Sequence, residues 1–163
     1  MPNPYNVLIL CTGNSARSIL GEALINHRGA GRFRGFSAGS HPTGRPRPEA
    51  LAALAEQGIS TAGLRSKSWN EFAQPGAPAM DFIFTVCDNA AGETCPLWPG
   101  HPVTAHWGLP DPAAVHGTPA EIAAAFRATL AALDRRVSLL LALPIEQLEA
   151  AELRARLMEI GRA

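Results

Sequence analysis

The sequence predicts an α/β domain of three αβα layers, with a central parallel sheet of four strands between helices. Three observations predict it. Val7–Leu10 is a continuous apolar, partly β-branched run with Asn-Pro before it and Thr-Gly after it, the pattern of a strand buried on both faces. It leads through a tight loop into a segment from Ser15 onward in which Ile19, Leu20, Ala23 and Leu24 recur at helical spacing until Gly29. Asp81–Val86 (DFIFTV) repeats the strand pattern far downstream. Strands that alternate with helices need crossover connections, and crossovers make a parallel sheet covered on both faces.

The remaining elements follow in chain order. Arg32–Ala38 reads as a second strand closed by Gly39. Pro48–Gln57 reads as a second helix, with Leu51, Leu54 and Ala55 on one face and Gly58 as its stop. Lys67–Phe72 is expected to form a short helix, and Pro75, Gly76 and Pro78 mark a turn before the strand Asp81–Val86. Residues 88–102 are rich in Gly and Pro and read as a long loop, a feature that compact domains usually keep for function. Val103–His106 is the fourth strand. Thr118-Pro119-Ala120-Glu121 joins an N-cap Thr, Pro at the first helical position and Glu three residues on, a strong helix start. Ile122, Phe126, Leu130, Leu133, Val137 and Leu140 make the buried stripe of that helix, and Pro144 ends it. A last amphipathic helix is expected over Ile145–Ile160.

At 163 residues the chain has the length of a single domain, 1–163, able to bury most of its apolar surface without a metal or disulfide. Its 14 basic residues balance 14 acidic ones, so no global field draws it to nucleic acid or to an anionic membrane, and any anion must be held locally. The N-terminal MPNPYNVLIL lacks a basic region before its four-residue apolar run, and no apolar stretch has the length of a bilayer span. A cytoplasmic protein is expected. Three cysteines, Cys11, Cys87 and Cys95, are an odd number, which in a reducing compartment argues for thiol chemistry or plain burial over a disulfide framework.

The stretch CTGNSARS, Cys11 to Ser18, carries the chemistry. In open parallel sheets ligands sit beyond the carboxyl ends of the strands, and Cys11 lies at that rim. Five residues, Thr12, Gly13, Asn14, Ser15 and Ala16, separate its thiol from the guanidinium of Arg17. That is enough backbone to wrap a tetrahedral oxyanion in inward-pointing N–H groups, and Gly13 and Asn14 are the types that tolerate the positive φ such a nest needs. The helix N-terminus adds partial positive charge, and Arg17 can return to clamp two oxygens. Both favour the thiolate of Cys11, a nucleophile aimed at the bound anion, with the Ser18 hydroxyl placed to hydrogen-bond it.

These residues resemble the phosphate-binding loop of the low-molecular-weight tyrosine phosphatase fold, which thioredoxin-coupled arsenate reductases share. The resemblance continues through SAGS (37–40), SKSW (66–69), FTVCDNA (84–90), CPLWPG (95–100) and HWGLPDPA (106–113), while the last helix adds little to it. It implies a loop thiolate as nucleophile and Asp111, followed by Pro112, as general acid, the proline holding Asp111 extended over the loop. Phosphatases of this kind usually follow the dipeptide with a tyrosine that stacks on the substrate. Here Ala113 follows, and the chain's one tyrosine is Tyr5.

The resemblance to arsenate reductases further implies a relay. Arsenate would be converted to arsenite when Cys87, at the end of a strand expected beside the first, attacks the sulfur of a Cys11 thiol-arsenate adduct; Cys95 would then take over the disulfide and free Cys11. The reaction needs no prosthetic group. It needs an external thiol reductant, thioredoxin or glutaredoxin, for which Trp98 beside Cys95 could form part of the docking surface. Phosphate or sulfate would serve as substrate analogues. Two departures stand out: Ala16 replaces a second cysteine that many members carry before the loop arginine, and the Cys87–Cys95 gap is about one residue longer than in the better-known reductases, within a loop's latitude. Asn14, Ser37 and Ser40 could hold the loop from behind or line a potassium site such as some relatives have, although ordinary turn residues are the plainer reading. Two alternatives to the reductase stay open. One is a phosphatase that hydrolyses phosphomonoesters through a Cys11 phosphocysteine. The other is a non-catalytic oxyanion- or zinc-binding regulator, with Cys87, Cys95, His101 and His106 as the zinc set, although their spacing departs from the usual C-x2–4-C knuckle.

Overall fold

The computed structural model describes residues 4–86 and 102–163. The four expected strands are present: β1 Tyr5–Cys11, β2 Phe33–Gly39, β3 Phe82–Thr85 and β4 Val103–His106. They lie in the order β2-β1-β3-β4, and every neighbouring pair is parallel. β1 exceeds the expected Val7–Leu10 because Tyr5 and Asn6 already pair with Phe33 and Arg34, and Cys11 still pairs with Gly39. Successive side chains of a strand alternate between faces. Val7, Ile9 and Cys11 therefore enter one apolar cluster, and Leu8 and Leu10 enter another on the opposite face. Residues 7–10 are at most 1% exposed, the two-sided burial that their unbroken apolar run foretold.

The first face is covered by four helices, α1 Arg17–Arg28, α2 Pro48–Glu56, α3 Pro119–Leu141 and α4 Ala150–Ile160, whose apolar stripes join Val7, Ile9 and Phe84 in one core. On the second face, Leu8, Leu10, Ala38 and Ile83 pack with Met80 and with Phe72 of the 3₁₀ turn Trp69–Phe72. Sheet and covers thus form three layers. The capping box that starts α3 is present, Thr118 accepting from the Glu121 amide and the Glu121 carboxylate from the Thr118 amide. Pro112–Ala114 forms a further 3₁₀ turn after Asp111.

Three elements differ from expectation. The helix expected from Ser15 begins at Arg17, because Asn14 has φ 47°, a left-handed conformation that interrupts the helical path. The segment Lys67–Phe72 contributes only the 3₁₀ turn, since Lys67 is bound to the sheet edge and the oxyanion loop instead. The last helix is not continuous over Ile145–Ile160: a 3₁₀ turn at Ile145–Gln147 is followed by extended backbone at Leu148 and Glu149, and Glu149 then caps α4.

β1 is joined through α1 to β2 on one side and lies against β3 on the other, so the chain changes direction at the carboxyl end of β1. Such a switch point opens a crevice for ligands. The strand expected beside β1 is there: Leu10 pairs with Thr85, and the Val86 amide donates to the Leu10 carbonyl at 2.9 Å. At the far end of the sheet, Trp107 is fully buried, its ring stacked on Phe84 at 3.8 Å between centroids while its N–H donates to the Leu157 carbonyl of α4. Among the described residues, no helix is long and apolar enough to cross a membrane.

Candidate active site

β1 delivers Cys11 to the rim of the sheet, 6% exposed, and α1 carries Arg17 at its first residue. Between them the loop is turned outward by its carbonyls. Those of Thr12, Gly13 and Ser15 accept from the amides of His41, Thr43 and Arg47 at 2.9, 3.0 and 2.8 Å, and Ser66 Oγ also donates to Gly13 O at 3.1 Å. The amides of Gly13, Asn14, Ser15, Ala16 and Arg17 donate to no other group among the described residues. A loop whose acceptors are spent outward and whose donors are unspent is built to receive an anion. The approach of β2 behind it requires glycine: a Cβ on Gly39 would lie 2.3 Å from Thr12 O and 2.8 Å from Cys11 O.

Asn14 is the keystone of this turn. Fully buried at positive φ, it uses both ends of its amide: Nδ2 donates to Ser18 Oγ at 2.8 Å and Ser37 Oγ at 2.9 Å, and Oδ1 accepts from the Lys67 amide at 2.9 Å. Asn14 and Ser37 therefore hold the loop from behind and are more than the ordinary turn residues that the sequence favoured. Ser40 does not join them, as its hydroxyl contacts His41 Nδ1 at 2.9 Å. The oxygens that could have lined a potassium site instead face the ammonium of Lys67 at 3.4 Å from Ser37 Oγ and 3.5 Å from Asn14 Oδ1, so the donor set does not fit an added ion.

The acid loop meets Arg17 from the front. Arg17 Nη1 donates to Leu109 O at 2.7 Å, and Nη2 lies 3.7 Å from Asp111 Oδ2. Arg17 Nε is buried and has no hydrogen-bond partner among the described residues. Asp111 is extended before Pro112, as the dipeptide predicts, and its Oδ1 accepts from the Ala113 amide at 2.9 Å, which leaves Oδ2 on the Arg17 side. Its side chain is 42% exposed, open to an incoming substrate. Behind the acid loop, Arg136 of α3 is 5% exposed and donates through Nη1 to Trp107 O at 2.6 Å and Gly108 O at 3.3 Å.

Of the expected residues, Cys11, Thr12 to Ser18 and Asp111 converge on one rim. Cys87 and Cys95 lie outside the described residues, as do Trp98 and His101. Of the zinc set only His106 is described; its Nδ1 is 2.7 Å from Thr85 Oγ1, and no group of three or more metal-binding side chains exists among the described residues. Tyr5 packs against Phe33 and Phe82 at the opposite end of β1, about 20 Å of strand away from Cys11. It offers no stacking surface at the loop. The supports that sequence reasoning missed are Gly39, Ser66, Glu22, Arg136 and the Lys67 side chain. Only the last left a trace, as the single lysine among 14 basic residues.

Comparison with known proteins agrees with this geometry. The family model described as low molecular weight phosphotyrosine protein phosphatase matches residues 6–154. The arsenate reductase of Shouchella clausii (strain KSM-K16) is 36% identical over 115 residues, which cover 71% of this chain and 79% of that protein. Among solved structures, an arsenate reductase in the phosphate binding state superposes with a TM-score of 0.69 at 26% identity, covering 85% of this chain and 97% of that one. The arsenate reductase of Archaeoglobus fulgidus DSM 4304 superposes at 0.65 with 28% identity, covering 84% and 99%. With the 11–18 loop and the Asp111-Pro112 pair both inside the matched span, the chain belongs to the low-molecular-weight phosphotyrosine protein phosphatase family.

Proposed function

We propose that this chain is an arsenate reductase, a single domain over 1–163 that converts arsenate to arsenite through Cys11, Cys87 and Cys95. The observation that carries the reading is strand order. Val86, the residue before Cys87, is hydrogen-bonded to Leu10, the residue before Cys11, across directly paired parallel strands. A hydrolase of this family needs one thiol at that rim. A second thiol two residues past the end of the neighbouring strand in sequence suits a disulfide, and the arsenate reductases to which the chain is similar support the choice.

In the first step, arsenate lies in the loop amides with Arg17 on two of its oxygens, and the Cys11 thiolate attacks arsenic. Asp111 gives a proton to the departing oxygen, which leaves as water. Ser18 Oγ already accepts from Asn14, so its own hydrogen is left to donate, and the Cys11 sulfur is its proposed acceptor. In the second step, the Cys87 thiolate attacks Cys11 Sγ. An S–S bond forms, the S–As bond breaks with its electron pair passing to arsenic, and As(V) leaves as arsenite, As(III). Two thiols have been oxidised by two electrons. Cys95 then attacks Cys87, releases the Cys11 thiolate and leaves a Cys87–Cys95 disulfide for an external dithiol, thioredoxin or glutaredoxin. No prosthetic group enters. A chemistry that needs reduced thiols at rest suits a reducing compartment such as the cytoplasm.

The test is arsenate-dependent NADPH oxidation supplied in turn with thioredoxin and glutaredoxin systems. The parent turns over with one of them, and Cys11→Ser, Cys87→Ser and Cys95→Ser each stop it. Full turnover by Cys87→Ser sinks the relay. Hydrolysis of a phosphomonoester that survives Cys87→Ser, in a parent inert toward arsenate, makes the protein a phosphatase instead.

A further inference from the structure

Lys67 is the only lysine in the chain, and the mechanism above gives it no part. It is also buried, 8% exposed. Its backbone is fixed first: Lys67 O accepts from the Gly39 amide at 3.0 Å, at the end of β2, and Lys67 N donates to Asn14 Oδ1. With the main chain held between sheet edge and loop, the side chain folds inward.

Its Nζ ends among four oxygens from four segments. Arg65 O lies at 2.7 Å, Ser37 Oγ at 3.4 Å, Asn14 Oδ1 at 3.5 Å and Glu22 Oε1 at 3.5 Å. An ammonium has three hydrogens for these four acceptors, so it serves them as a compact charge more than through separate directed bonds. A peptide carbonyl, an amide oxygen, a hydroxyl and one carboxylate form an all-oxygen set of the kind that binds hard cations. Its single carboxylate, Glu22, calls for one positive charge. Glu22 is itself partly buried, its side chain 13% exposed, and Ser37 donates to the same Oε1, so leaving the charge uncompensated would be costly. Arg65 and Glu71, paired with each other at the surface, are the other charged groups that Lys67 feels.

We propose that Lys67 is a built-in monovalent cation, a positioning residue whose ammonium takes the place of a bound potassium ion behind the oxyanion loop and makes anion affinity independent of potassium. It acts through Asn14, whose left-handed backbone sets the turn and whose side chain bridges to Ser18 and Ser37. Burial, and to a lesser degree Arg65, hold the ammonium's pKa below its ordinary value against the upward pull of Glu22; a cation kept here against that pressure has a structural task. The inference rests on reading the 11–18 loop as the oxyanion site.

The experiment measures inorganic phosphate binding by calorimetry and thermal midpoints, each in KCl and in choline chloride at equal ionic strength, for the parent, Lys67→Met and Lys67→Ala. The parent behaves identically in the two salts. Lys67→Met fills the space without the charge and binds phosphate about tenfold more weakly in both, the loss expected from one charge-assisted contact. Lys67→Ala is equally weak in choline chloride and regains affinity and thermal midpoint in KCl, as the ion enters the vacated oxygens. A parent that needs potassium overturns the proposal, as does a Lys67→Met that binds like the parent. So does a Lys67→Ala whose midpoint is the same in both salts. If the parent binds no phosphate in either salt, the oxyanion-site reading fails, and the midpoints of Lys67→Ala still decide the role of Lys67.

Discussion

The two sides of the oxyanion loop are built differently. Behind it, Asn14, Ser18 and Ser37 are fully buried and interlocked with Glu22 and Lys67, and three amides of the 41–47 segment hold the loop's carbonyls. In front, the 109–114 segment offers a half-exposed carboxylate tied to the loop, among the described residues, through Arg17, with Arg136 fixing the backbone just before it. The contrast suits the two tasks proposed for them. Stabilising developing charge needs donors that do not reorganise, so that side is rigid. Delivering a proton to a departing oxygen needs an acid that substrate can reach, so that side is open.

The largest effects are expected where the two sides meet. Arg17→Lys replaces a planar fork with a point charge and loses the bond to Leu109 O together with bidentate anion contact, so kcat/KM for arsenate should fall by roughly 10²–10³. Stopped-flow or steady-state NADPH oxidation checks this. Asp111→Asn keeps an oxygen for the Ala113 amide but supplies no acid, and kcat should fall about 10²-fold while the thermal midpoint stays within a degree or so. A large midpoint change in that variant would mean that Asp111 is a turn residue first.

How much of this was legible follows the same division. The front could be read from local pattern: a strand, a Gly-Asn loop and an Asp-Pro dipeptide each announce their conformation within a few residues. Lys67 and Glu22 could not, because each is ordinary alone and they meet across a separation of 45 positions; Ser37 could be named as a support behind the loop, but not its bond to Glu22 or its place beside the Lys67 ammonium. The clamp on Arg17 was hidden for another reason, since its acceptor is a backbone carbonyl at Leu109 and leaves no mark on residue type. The last helix was misjudged because Ile145 and Leu148 keep an apolar spacing compatible with Leu153 and Leu157 while the backbone at Leu148 and Glu149 is extended.

Gly39→Ala attacks the rear alone. A Cβ there meets Thr12 O at 2.3 Å, closer than contact allows, so loop or strand must shift. The expected cost is about 1–3 kcal/mol in denaturant unfolding, with weaker phosphate binding by calorimetry. If stability falls and binding does not, the rear wall supports the fold without tuning the anion site. Arg136→Met tests the front's own support in turn. The lost bonds to Trp107 O and Gly108 O lie inside the protein, so about 1–3 kcal/mol of stability should go, and kcat should fall more than phosphate affinity because the acid loop is what loosens.

The smallest effect is expected at the outer skin of the rear network, where Arg65 pairs with Glu71 at 2.6 Å while its carbonyl accepts from Lys67 Nζ. The hydrogen bond from Arg65 holds the Glu71 carboxyl below its ordinary pKa, against a smaller opposing push from burial. A carboxylate with a depressed folded pKa adds stability that is present above its unfolded pKa and is lost as pH falls through the folded one. The parent should therefore exceed Glu71→Gln in stability at neutral pH by a fraction of about 1 kcal/mol, as for an exposed pair, and the difference should vanish on acidification below about pH 4. Phosphate affinity should not change in that variant. Thermal midpoints across pH 3–8 check the first point, and calorimetry at neutral pH the second. An affinity loss would show that the position of the Lys67 ammonium depends on the surface pair as well as on the buried oxygens, and would extend the rigid half of the site out to solvent.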